Sequence, residues 1–113
     1  MEKDPEVLLT HIKESIDAIE SYVSGCSREE FFSNTQKQDA VVRRFEIIGE
    51  AVSNLSNEFK EAHSDLNWSE PIGMRNVLIH DYASVDLEVV WDTLQKDIPV
   101  FKKKIQGLIE AIS

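Results

Sequence analysis

The chain has one cysteine, Cys26, which excludes an internal disulfide and fits a reducing compartment such as the cytoplasm. Four glycines and three prolines leave little material for long irregular loops. No apolar run approaches the roughly 20 residues that a membrane-spanning helix needs, so no membrane association is expected. Cations are scarce: 12 Lys and Arg stand against 21 Asp and Glu, a net charge of −9. That balance excludes broad, non-specific adhesion to nucleic acid or to anionic membranes. Any RNA-binding surface must be a local patch on an acidic body. The opening residues Met1-Glu2-Lys3-Asp4-Pro5 are polar and acidic and do not read as a signal peptide. The three histidines, His11, His63 and His80, are scattered without metal-ligand spacing, so neither a metal nor another cofactor is expected. Strand patterns, internal repeats and low-complexity segments are lacking as well.

What is present is helical periodicity over 113 residues, a length that suits one domain, 1–113, with one core. Asp4 and Pro5 read as N-cap and first helical residue. Leu8, Leu9, Ile12, Ile16, Ile19 and Val23 then recur at three- and four-residue steps, an amphipathic helix that Gly25 ends. Ser27 with Glu30 reads as a capping box opening a short helix with Phe31 and Phe32. Thr35 with Gln38 reads as a second one. The helix it starts carries Val41, Phe45, Ile48, Val52 and Leu55, with Ala40, Ile47 and Ala51 as a second apolar strip. Gly49 in its middle costs about 1 kcal/mol against Ala, which close approach of another helix would explain. A short polar helix is expected near Glu58–His63. Asp86 caps a helix with Leu87, Val90, Trp91 and Leu94 facing in. Asp97-Ile98-Pro99 either starts a new helix or kinks the old one, and Ile98, Phe101, Ile105, Leu108 and Ile112 form the last stripe. The sum is an all-α, up-and-down bundle of four main helices plus short ones.

The chemistry concentrates in Met74-Arg75-Asn76-Val77-Leu78-Ile79-His80-Asp81-Tyr82, which a loop around Trp68 and Pro71 precedes. On a helix, Asn76 and His80 are neighbours four apart, and Arg75 and Tyr82 align seven apart. Arg75 and His80 are five apart and flank one groove. Such a helix presents a fixed cation, an imidazole that titrates near neutrality, an amide and a phenol along one edge. The plainer alternative is a surface helix with a polar end.

The spacing of Arg75, four residues, His80, one residue, Tyr82 resembles the motif of the HEPN superfamily, in particular its HepT-like toxin branch. The resemblance extends over nearly the whole chain. It includes Gln38-Asp39-Ala40-Val41-Val42-Arg43-Arg44-Phe45-Glu46-Ile47-Ile48-Gly49-Glu50-Ala51, then Trp68, Ile72-Gly73, Val85-Asp86-Leu87, Val90-Trp91 and Asp97-Ile98-Pro99. It implies a HEPN-like domain and a metal-independent ribonuclease, the toxin of a type VII-like toxin–antitoxin module. The residues suit that chemistry. The 2′-hydroxyl of RNA attacks the adjacent phosphate, a base takes its proton and an acid protonates the leaving 5′-oxygen. His80 suits either task. Arg75 suits holding the phosphate, and Asn76 suits either orienting His80 or donating to a phosphate oxygen. One histidine per chain is short of a separate acid and base, and a homodimer with two motifs around one cleft would supply both. HEPN proteins resemble this arrangement. The resemblance also implies that a partner nucleotidyltransferase adds AMP to Tyr82 and silences the toxin. A different function remains open: a catalytically silent helical module that only binds the nucleotidyltransferase.

Among the remaining residues, Arg43 and Arg44 suit phosphate contacts, with an internal salt bridge expected for at least one. Glu46 and Glu50 are expected in solvent, although the resemblance places Glu50 near the cleft. Lys102-Lys103-Lys104 reads as a solvated face, and Cys26 has no evident base partner.

Overall fold

A computed structural model of the protein describes residues 4–69 and 86–112. These residues form an all-α bundle, and no strand occurs among them. The helices are α1 (Pro5–Val23), α2 (Arg28–Ser33), α3 (Thr35–Asn54), α4 (Asn57–Ala62), α5 (Leu87–Asp92) and α6 (Ile98–Ile112), with a π-helical turn, Thr93–Asp97, joining the last two.

The starts and stops follow local chemistry. The Asp4 carboxylate accepts from the Glu6 amide at 2.9 Å, and Pro5 occupies the first turn of α1, where its missing N–H costs nothing. Gly25, at φ +69°, reverses the chain after α1 in the left-handed region that glycine occupies without strain. Ser27 Oγ accepts from the Glu30 amide at 3.2 Å and starts α2. Ser56 caps α4 through the Phe59 amide, and Asp86 caps α5 through the Glu88 amide.

Two expectations about these boundaries are corrected. Asn34, not Thr35, caps α3: its Oδ1 accepts from the Lys37 amide at 3.0 Å. Asn is the better cap, and one step earlier it leaves Thr35 inside the first turn. Gln38 is therefore not half of a capping box. Its Nε2 donates to the Phe31 and Phe32 carbonyls at 2.9 and 3.1 Å, satisfying the open C-terminal end of α2. At Asp97-Ile98-Pro99 an α-helix starts at Ile98, the first of the two expected arrangements, but it follows the π-helical turn without a break, because Thr93 and Ile98 both keep helical dihedrals. The Ile98 amide donates back to the Thr93 carbonyl, five residues earlier. This wide turn opens the ladder just ahead of the proline, which has no N–H to give and whose ring would crowd a regular turn. Residues 87–112 thus form one continuous rod.

The core lies where α1 packs on α3 and on α6. Leu9, Ile12, Ile16 and Ile19 meet Val41, Ile48 and Val52 from α3 and Val90 and Ile105 from the rod, all at or near complete burial. The start of the rod sits beside α2, through Arg28 and Glu88, while Lys102 reaches Asp17 and Glu20 in α1. The rod therefore runs antiparallel to α1. On the second strip of α3, Ala51 is buried while Ala40 and Ile47 are half-buried. Gly49 is buried. Ile112, expected to face inward, is 37% exposed; it is the last residue of α6, and the buried stripe ends at Leu108.

Candidate active site

The residues expected to carry chemistry, Arg75, Asn76, His80 and Tyr82, lie outside the described residues. So does most of the sequence that resembles a motif helix. What the structure shows is the framework on both sides of that stretch, and the face of α3 with its arginines.

On the N-terminal side, the polar turn after α4 delivers Trp68 into the body of the protein. Trp68 is 7% exposed. Its indole Nε1 donates to the His63 carbonyl at 3.0 Å, and its ring sits 6.2 Å from Phe59 and 6.3 Å, edge-on, from Phe101. The Phe59 ring in turn lies 4.6 Å from the His63 ring, tilted against it. Lys104 reaches across from α6 and donates to the Asp65 carbonyl at 2.7 Å. The segment 63–68 is therefore fastened to the rod by an aromatic cluster and one charged donor.

On the C-terminal side, α5 is fastened to α2. The fully buried Phe31 packs 5.4 Å from the Trp91 ring. The Arg28 guanidinium lies over the Phe32 ring at 4.3 Å and pairs with Glu88. Stacking on a ring and pairing with a carboxylate use the two faces of chemistry that distinguish Arg from Lys.

The secondary candidates separate clearly. Arg43 pairs with Glu46 at 3.3 Å, the internal salt bridge expected for one of the two arginines. Arg44, half-buried, has no ion-pair or hydrogen-bond partner among the described residues. Glu50 is exposed. Cys26 is half-buried and donates only to the Ser27 carbonyl. Among the described residues no group of His, Cys, Asp and Glu is arranged to hold a metal ion, and no helix is long and apolar enough to cross a membrane.

Lys103 and Lys104 are exposed, as expected of a solvated face, and only Lys102 departs from it, half-buried and tied to α1. Lys102 bridges to Glu20 at 2.6 Å and to Asp17 at 3.6 Å, while Lys13 pairs with Asp17 at 2.9 Å. The hydrogen bond from Lys13 holds the Asp17 carboxyl below its ordinary value of 3.8, with the Lys102 charge adding to it against the cost of burial. The hydrogen bond to Glu20 raises Lys102 above 10.5. Ser15 was not anticipated at all. Its hydroxyl is buried on the core face of α1, 1% exposed, and has no partner among the described residues.

An all-α bundle is a framework many proteins share, and comparison with known sequences narrows it. Residues 12–108 match the family model described as "Ribonuclease HepT-like". The chain is 44% identical over 112 residues to a "Gamma-glutamylcyclotransferase and putative RNase" of Methanocaldococcus jannaschii, 99% of this chain and half the length of that relative. It is 40% identical over 108 residues to a "Putative RNase" of Caldanaerobacter subterraneus, 96% of each chain. To the "Probable ribonuclease HepT" of Thermococcus cleftensis it is 40% identical over 108 residues, 96% of this chain and 98% of that one. No solved structure gives a significant match. The chain belongs to the HepT-like ribonuclease family.

Proposed function

We propose that the protein is the toxin half of a two-component toxin–antitoxin module, a metal-independent endoribonuclease that a partner nucleotidyltransferase silences by adding AMP. The observation that carries this reading is the family match, which spans the whole Arg75–Tyr82 stretch. Arg75 binds the scissile phosphate through its fork of donors and stabilises its transition-state charge. His80 exchanges the protons, as base for the 2′-hydroxyl or acid for the 5′-oxygen. Asn76 orients His80. A homodimer brings two histidines to one cleft, so that one is base while the other is acid. AMP on Tyr82, two residues beyond His80, sets a phosphate against the Arg75 fork and a nucleotide in the space of an RNA base.

The test is parallel expression of the protein and of His80→Ala, with RNA integrity and growth as readouts. Growth arrest and RNA breakdown are expected with the parent alone. Cleavage is expected to persist in EDTA. Purified His80→Ala that cleaves at the parent rate would overturn the assignment. Incubation with the partner and ATP is expected to add the mass of AMP to the parent and not to Tyr82→Phe.

A further inference from the structure

Arg43 and Arg44 are adjacent in sequence and opposite in circumstance. Arg43 is exposed and satisfied by Glu46. Arg44 is turned about 100° around α3 from it and is half-buried with no partner among the described residues. A half-buried guanidinium gives up part of its hydration, and in a chain with 21 acidic residues an internal carboxylate is the common compensation. None supplies it here. Two turns earlier on the same strip, Lys37 repeats the pattern: its side chain is half-buried and its ammonium has no partner among the described residues. The two cations are separated by about 10.5 Å along the helix, from seven residues at 1.5 Å each. Between and beyond them lie Ala40 and Ile47, both half-buried, so the strip is cationic and apolar with no acid on it. At its Lys37 end it opens into a hollow of about 340 Å³ at the start of α3, lined also by Glu30, Ser33, Asn34, Thr35 and Gln36.

We propose that the strip Lys37–Ala40–Arg44–Ile47 is a track for the single-stranded RNA that flanks the cleavage position. Lys37 and Arg44 each hold one backbone phosphate, and Ala40 and Ile47 pack under ribose or base. An incoming phosphate gives the Arg44 fork the charge-assisted hydrogen bonds that the protein withholds. The acidic body around it keeps binding confined to this line. The proposal rests on the ribonuclease reading and adds the surface on which substrate lies.

The experiment uses the His80→Ala chain, so that RNA stays intact, and follows binding of a labelled single-stranded RNA by anisotropy across a salt series. Lys37→Ala and Arg44→Ala are each expected to weaken binding and to reduce the slope of log affinity against log salt by about 0.7, one phosphate contact on a single strand. Arg44→Lys is expected to keep the slope. Lys103→Ala, exposed on α6, is expected to change nothing. If Arg44→Ala fails to fold, Lys37→Ala carries the test. Unchanged affinity and slope in both variants, alongside a parent that cleaves RNA, would overturn the track and leave the ribonuclease reading standing. Intact RNA binding with impaired AMP transfer would give the strip to the protein partner and would equally overturn it. A parent with His80 in place that cleaves no RNA would defeat the ribonuclease reading, and the track with it.

Discussion

Replacing Trp68 probes the anchor that leads into the Arg75–Tyr82 stretch. The indole takes part in two ring pairs, with Phe59 and Phe101, and donates one hydrogen bond to the His63 carbonyl. Ring pairs contribute about 0.5–1.5 kcal/mol each beyond burial, and the hydrogen bond about 1 kcal/mol. Adding the cavity left by a large, 93%-buried side chain (7% exposed) brings Trp68→Ala to about 3–5 kcal/mol. For a domain of this length that corresponds to a fall in melting temperature of about 12–20 °C, at about 4 °C per kcal/mol. Trp68→Phe separates packing from hydrogen bonding. The phenyl ring keeps most contacts, and the His63 carbonyl still accepts from the Leu66 amide at 3.3 Å, so it is not orphaned. Its cost is expected near 1 kcal/mol, the hydrogen bond alone. Thermal and urea unfolding followed by circular dichroism measure both. A Trp68→Ala midpoint within about 4 °C of the parent, roughly 1 kcal/mol, would show that the cluster does not hold the segment.

Three further outcomes are expected. Asn34→Ala should cost about 1 kcal/mol in urea unfolding while Thr35→Ala costs a few tenths, because only Asn34 caps α3; equal losses would restore Thr35 as the cap. Ser15→Ala should leave stability unchanged or raise it by up to about 1 kcal/mol, since it removes a buried hydroxyl that makes no hydrogen bond among the described residues; a loss above that would reveal a partner for the hydroxyl. The α1–α6 ion network should respond to pH at both extremes. Asp17 titrates below 3.8 in the folded chain, so its contribution is present above that value and is lost as pH falls through the lowered one. Lys102 titrates above 10.5, so its contribution is present below that value and is lost as pH rises through the raised one. Between them stability should be flat with respect to this network. Lys102→Met should remove the alkaline-side component and leave most of the acid-side one, because the hydrogen bond from Lys13 to Asp17 remains.

Much of this framework was legible because it follows from local rules. The stripes of Leu9–Ile12–Ile16–Ile19 and Val41–Phe45–Ile48–Val52 fixed which faces are buried, and Asp4, Gly25, Ser27 and Asp86 marked ends by their own hydrogen bonds or dihedrals. The misreadings share a cause. Gln38 spaced from Thr35 satisfied a local pattern, but the carbonyls at the end of α2 were the nearer acceptors. Lys102 looked like one of three equivalent cations until α1 supplied two carboxylates 82 and 85 residues away in sequence, at Glu20 and Asp17. Arg43 and Arg44 are indistinguishable in one dimension, and only the 100° step around α3 separates a paired cation from an unpaired one. Family membership was legible as an ordered set of likenesses along nearly the whole chain.

The wide turn in the rod has a consequence for how this chain can change length. Val90, Leu94, Ile98, Ile105 and Leu108 are the buried seam of the rod. From Val90 through Leu94 to Ile98 the seam advances eight residues where two regular turns take about 7.2, nearly one residue too many for that stretch. The turn at Thr93–Asp97 absorbs that surplus residue, and it does so beside Pro99, whose ring a regular turn would not accept without a cost of about 3 kcal/mol. Insertion and proline are thus mutually permissive. Deleting Gln95 alone would straighten the ladder onto a proline. A one-residue deletion in this turn is therefore expected to cost more than the exposed position of Gln95 suggests.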